Sequence, residues 1–207
     1  MQELQNRYPA LSVCGESIQN ALTLMKETYE TGGTMLLCGN GGSCADCEHI
    51  VGELMKGFLS KRKMKAEDFE KIKQQFPEDA DYFSKTLQYG IPAVSLPSLA
   101  AVGTAFVNDV AADMVYAQLI YGMGKAQDLV IGISTSGNSK NVVNALKIAK
   151  AKGLKTLGLT GANPSLMDAL CDVVIKVPET ETYKIQELHL PVYHAICAQV
   201  EENFFER

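Results

Sequence analysis

DLVIGISTSGNSKNVVNALKIAKAKGLKTLGL, residues 128–159, carries the pattern that decides the fold. It opens on a continuous apolar run, Asp128 to Ile133, which reads as a strand buried on both faces. The polar loop Ser134-Thr-Ser-Gly-Asn-Ser139 follows. Val142, Val143, Ala145, Leu146 and Ala149 then recur at helical spacing over 139–152, with Gly153 placed to cap the helix end. Lys155 to Leu159 begins another buried strand. Strand, polar turn, helix and strand in this order predict a parallel pair joined by a crossover helix.

The same grammar extends outward. Thr34 to Cys38 is a short apolar run leading into Gly39-Asn-Gly-Gly-Ser43, and a helix is expected over 43–58 with Ile50, Val51 and Leu54 on one face. Ile91 to Leu96 and Val173 to Lys176 supply two more strands. Helical spacing marks 11–30, 98–107, 111–124 and a last helix from about Thr182 to Phe204. Pro191 falls inside that last helix, where it removes one hydrogen bond and can alter how His194 points. The charge-rich stretch KRKMKAEDFEKIKQQFPEDADYFSK reads as two short exposed helices broken near Pro77. The expectation is an α/β chain of one domain, 1–207. Its architecture is three-layer and doubly wound on a five-stranded parallel sheet, with a charged helical insert at about 59–90.

Composition narrows the function. A net charge of −5 argues against a general nucleic-acid binder, which presents a basic face. It leaves room for a small anionic ligand, because backbone N–H groups can hold phosphate inside an acidic protein. No run of about 18 apolar residues is present to span a membrane. The N-terminus MQELQNRYPA lacks the apolar core of a signal peptide. A cytoplasmic protein with reduced cysteines is expected.

In a parallel sheet, ligands bind beyond the carboxyl ends of the strands. GNGGS at 39–43 and STSGNS at 134–139 both occupy that position and should open on the same sheet edge. Five of the six residues in STSGNS bear a hydroxyl or amide, and a helix follows. Capping that helix needs one such residue, so the surplus points to phosphate or another anion. GNGGS alone suits either a tight turn or a ligand loop, and it is neither a Walker loop nor a G-x-G-x-x-G.

His49 and Glu53, four apart, share one helix face. The pair suits a divalent metal, acid/base work or a plain surface contact. Gln186 and His194 sit on the last helix eight apart and share a side only loosely. Cys44-Ala-Asp-Cys47 at a helix start admits a thiol oxidoreductase or, with His49, a structural zinc. Against both stand the single C-x-x-C and the absence of tryptophan, leaving two helical cysteines by chance as the plainer reading.

LLCGNGGS at 36–43, FVNDV at 106–110, GISTSGNSKNVVNALKIAKAKGLKTLGLTG at 132–161 and IQELHLPVYH at 185–194 together resemble the SIS-domain (sugar isomerase) phosphoheptose isomerases. The resemblance covers most of the chain outside the insert. It implies interconversion of sedoheptulose 7-phosphate and a mannoheptose 7-phosphate by a homotetramer whose sites lie at subunit interfaces. It carries Asn40, Gly41, Gly42 and Ser43 onto the family's first substrate loop and Asn108 and Asp109 onto its Asn-Asp pair. Ser134, Thr135, Ser136 and Ser139 fall on its phosphate loop. His49, Glu53, Gln186 and His194 match its zinc set, with Glu53 and His194 also matching the family's base and acid. The chain departs from the family at Lys56-Gly57-Phe58, where an arginine is expected, at Thr182-Tyr183-Lys184, and in its longer 59–90 segment. SIS relatives that bind sugar phosphates as regulators, or serve as interaction proteins in replication initiation, define the non-enzymatic alternative.

Overall fold

The computed structural model describes residues 2–205. Five strands, β1 (Met35–Gly39), β2 (Ala93–Ser95), β3 (Leu129–Ile133), β4 (Lys155–Thr160) and β5 (Val173–Lys176), form one all-parallel sheet in the order β2-β1-β3-β4-β5. The five expected strands are all present. β2 is shorter than its apolar run because Pro92 and Pro97 flank it, and proline cannot donate to the ladder.

Ten helices surround the sheet among the described residues: α1 (Gln2–Arg7), α2 (Gly15–Glu30), α3 (Gly42–Met55), α4 (Ala66–Gln75), α5 (Ala80–Thr86), α6 (Ala100–Asp109), α7 (Val115–Met123), α8 (Lys140–Ala151), α9 (Met167–Leu170) and α10 (Thr182–Phe204). Two expected helices are divided. A 3-10 turn over Pro9–Cys14 precedes α2, and another over Ala112–Met114 precedes α7. α3 stops at Met55 rather than running to 58, because Lys56 is extended and the following N–H groups turn to Glu201. α10 runs unbroken through the buried Pro191.

Alternation along the strands divides the core into two layers. Met35, Leu37, Leu129, Ile131 and Ile133 face α2, α3 and α10, while Leu36, Cys38 and Val130 face α7 and α8. The chain therefore builds the three-layer arrangement its apolar runs predict. The order reverses between β1 and β3, and the crevice beyond their carboxyl ends is the usual binding position of such a sheet.

The charged segment forms α4 and α5, an outlying hairpin whose one buried residue is Ala80. Its base is pinned by an antiparallel bridge between Lys63 and Gln88 and by Tyr89 N–H donating to the Arg62 carbonyl at 2.8 Å. Among the described residues, no helix is long and apolar enough to cross a membrane.

Candidate active site

The two polar loops leave adjacent strands and meet. Asn40, in the first, exchanges amide hydrogen bonds of 2.8 Å in both directions with Asn141, just past the second. Tyr116 reinforces the junction from α7 by donating to the Gly39 carbonyl at 2.7 Å. Sequence reasoning had no signal for Asn141 or Tyr116, which gain their roles only because β1 and β3 are neighbours.

Within 134–139 the hydroxyls turn toward one another. Ser134 Oγ lies 2.9 Å from Ser139 Oγ and 3.5 Å from Ser136 Oγ. Ser139 occupies the N-cap position of α8 yet makes no side-chain capping bond. Capping is therefore not what this cluster of hydroxyls does. Gly137 turns the loop at φ +64°, a conformation that favours glycine, and a Cβ there would strike Ser165. Asn138 Oδ1 accepts from Leu166 N–H at 2.9 Å and ties the loop to the segment before α9. Three hydroxyls at the start of a twelve-residue helix, whose N-cap side chain makes no capping bond, make a receptor suited to an anion.

The second cluster lies between α3 and α10. His49 Nε2 is 3.3 Å from Glu53 Oε1 and 3.4 Å from His194 Nε2. Glu53 Oε2 is buried with no hydrogen-bond partner. Phe58 stacks beside His194 with ring centroids 5.6 Å apart. His194 is held below the ordinary histidine range by burial and by the neighbouring His49, against the opposing pull of Glu53.

Behind this cluster stands Tyr193, which the sequence reading missed. Its hydroxyl is 2.9 Å from His49 Nδ1 and also hydrogen-bonds Asp46. Burial pushes the Asp46 carboxyl up, the Tyr193 bond pulling it back, and burial likewise pushes the Tyr193 hydroxyl up. His49 Nε2, on the other side of the ring from Tyr193, faces Glu53 and His194.

Gln186 packs against the first turn of α3. A Cβ on Gly42 would fall 2.4 Å from Gln186 Nε2, so glycine is what admits the side chain there. Among the described residues its amide makes no hydrogen bond to His49, Glu53 or His194, which lie two to three turns away down α3 or along α10. Asn108 and Asp109, at the exposed end of α6, hydrogen-bond each other at 2.8 Å and meet neither loop. Ser43 is buried, and Thr135 is half-buried beside the phosphate-loop hydroxyls. Among the described residues, no three His, Cys, Asp or Glu side chains form a ready-made cage for an ion.

The Cys44/Cys47 pair behaves as helix packing. Cys47 is fully buried, and burial pushes both thiols up, Cys44 further by Glu48 and Cys47 by its neighbouring thiols and carboxylates. A redox C-x-x-C needs the opposite shift.

Comparison with known proteins gives the family. The SIS domain model matches residues 104–201. A phosphoheptose isomerase of Aneurinibacillus thermoaerophilus is 38% identical over 188 residues, covering 91% of this chain and 82% of the relative. The chain belongs to the phosphoheptose isomerase family. Phosphoheptose isomerase 2 of Campylobacter jejuni is likewise 38% identical over 91% of the chain and 81% of its own length. Among solved structures, the phosphoheptose isomerase of Neisseria gonorrhoeae superposes with a TM-score of 0.76 at 29% identity, covering 97% of this chain and 94% of that one.

Proposed function

We propose that this family member is an aldose–ketose isomerase converting sedoheptulose 7-phosphate to a glycero-manno-heptose 7-phosphate through an enediol. The observation that carries the chemistry is the meeting of Glu53 and two imidazoles between α3 and α10, with one carboxylate oxygen buried and unpartnered. An idle buried acceptor is costly unless something is brought to it. A substrate C–H proton is a fitting occupant.

Ketose-to-aldose isomerisation moves a proton from C1 to C2 while the carbonyl passes from C2 to C1. Glu53 takes the C1 proton, leaving an enediol, and returns it to C2. His194 gives a proton to O2 and accepts one from O1, so that atoms and charge balance. Ser134, Thr135, Ser136 and Ser139, with the N-terminus of α8, take the phosphate. Asn40, Gly41, Gly42 and Ser43 border the sugar, with Gln186 set against Gly42.

A divalent ion, zinc in the first instance, fits the donor types. His49 Nε2 lies 3.3 Å from Glu53 Oε1 and 3.4 Å from His194 Nε2, and imidazole nitrogen and carboxylate oxygen are donors that zinc takes. His49, Glu53 and His194, with Gln186 as a fourth donor, would hold it. When bound it supplies Lewis-acid polarisation of the carbonyl.

A homotetramer with sites at interfaces is part of the same reading. α6 exposes Val102 and Val107, Val110 follows it, and its Asn108 and Asp109 reach no other site residue within one chain. The six free cysteines accord with a cytoplasmic location.

The test is an isomerase assay on sugar phosphates of five to seven carbons, with and without a chelator. Glu53→Gln is expected to lower turnover of sedoheptulose 7-phosphate by about 100-fold or more while sugar-phosphate binding persists. An active Glu53→Gln protein ends the assignment of the base. Binding without turnover of any sugar phosphate by the unmodified protein would instead favour a regulator.

A further inference from the structure

Arg62 and Glu201 take no part in the chemistry above, yet they are the most thoroughly enclosed ion pair among the described residues. Their side chains are 0% and 2% exposed. Arg62 is also the one described non-glycine residue with positive φ, at +39°. Such a backbone persists only where surrounding contacts over-determine it.

Those contacts run in three directions. Arg62 Nε donates to Glu201 Oε1 at 2.6 Å, Nη2 donates to the Glu53 carbonyl at 2.9 Å, and Nη1 donates to the Leu54 carbonyl. α3 ends at Met55, so its last carbonyls lack intrahelical partners, and the guanidinium fork takes two of them. A cation at that end also meets the negative pole of the helix. Glu201, from α10, accepts the N–H groups of Phe58, Leu59 and Ser60 at 2.8, 2.6 and 3.0 Å. One guanidinium–carboxylate unit therefore joins the C-terminus of α3, the 58–62 segment and α10. The backbone carbonyl it grips belongs to Glu53 itself. The segment it fixes presents Phe58 to the ring of His194.

We propose that Arg62, backed by Glu201, is a positioning residue for the isomerisation, fixing Glu53 on α3 against His194 on α10. This rests on the isomerase reading. Neither residue touches substrate; they act through the helix end that carries the base. A misplacement of about 1 Å can lower a rate about 100-fold, and the fork is what prevents it. Lysine at 62 keeps the charge but cannot serve two carbonyls and a carboxylate from one rigid plane.

The experiment compares the unmodified protein with Arg62→Lys and Glu201→Asp. Competent sites are counted by equilibrium titration with sedoheptulose 7-phosphate, so that kcat is expressed per folded site. Arg62→Lys is expected to lose about 10- to 100-fold in kcat with KM within about twofold, since the phosphate loop is untouched. Glu201→Asp keeps the carboxylate and its charge on a shorter stem, and should lose severalfold in kcat and stay folded even if Arg62→Lys does not. Unchanged kcat per site in whichever of the two variants folds overturns the proposal. So does an activity loss that tracks only the number of competent sites, the outcome of a merely structural pair. Absence of turnover in the unmodified protein would instead sink the isomerase reading, and this proposal with it.

Discussion

Ser139 shows how a single side chain separates two explanations of one motif. A serine at the start of a helix ordinarily caps it, and losing such a cap costs about 1 kcal/mol. Here the hydroxyl turns to Ser134 and makes no capping bond. Ser139→Ala is therefore expected to leave the thermal unfolding midpoint nearly unchanged. It should raise KM for the sugar phosphate about tenfold, the cost of one charge-assisted hydrogen bond. Unfolding scans and steady-state kinetics on the same preparation check both halves. A lowered midpoint with unchanged KM would return Ser139 to capping. The site residues of this loop were legible because hydroxyls were crowded into six consecutive positions. Tyr193 and Asp46 were not, because nothing in their own neighbourhoods marks a tyrosine or an aspartate as the orienting partner of His49.

At the scale of elements, α10 does most to join the chain. It carries Gln186 to the first turn of α3, His194 to His49, and Glu201 to Arg62. It also buries His189 where it packs over the end of β4. Burial holds that imidazole down at about 4, with the Thr160 backbone pulling the other way. In the unfolded chain the ring takes a proton below its ordinary value near 6.5, whereas the folded state refuses it until about 4. Stability from this group is therefore full above pH 6.5 and falls as pH drops through 6.5 toward 4, by an amount of order 3 kcal/mol. Unfolding midpoints recorded across that window should decline. His189→Met, which does not titrate, should show a shallower decline. Equal slopes for both proteins would remove His189 as the cause.

At the scale of the whole molecule, the α4–α5 hairpin is an appendage on a complete sheet. Ala80 is its one buried residue, and Lys63 and Gln88 already pair at its base. Replacing 64–87 by an Asn-Gly turn should therefore preserve the fold, since two residues of that type close an antiparallel pair. The unfolding midpoint should shift by no more than about 4 °C, equivalent to roughly 1 kcal/mol in a chain of this size. Turnover should persist, because Arg62 and Tyr89 lie outside the deletion. Circular dichroism with heating and the isomerase assay decide this. Loss of activity with the fold intact would place the hairpin in the site, or in the assembly that completes it.

The amino-acid sequence by itself determined the sheet and the two polar loops. Buried parallel strands are continuous apolar runs, and their turns are written in consecutive glycines, serines and asparagines. Each is a local pattern, so the order of elements and the edge on which GNGGS and STSGNS open followed from spacing alone. Helix ends were less legible: α3 stops early because Arg62 and Glu201 capture its terminus from elsewhere. Only the tertiary structure decided which side chains work together. His49 and His194 are 145 residues apart, and Arg62 and Glu201 are 139 apart. No periodicity records such meetings. They arise when α3 and α10 are pressed together on one face of the sheet, where burying an apolar stripe on each helix fixes which polar groups are left facing one another.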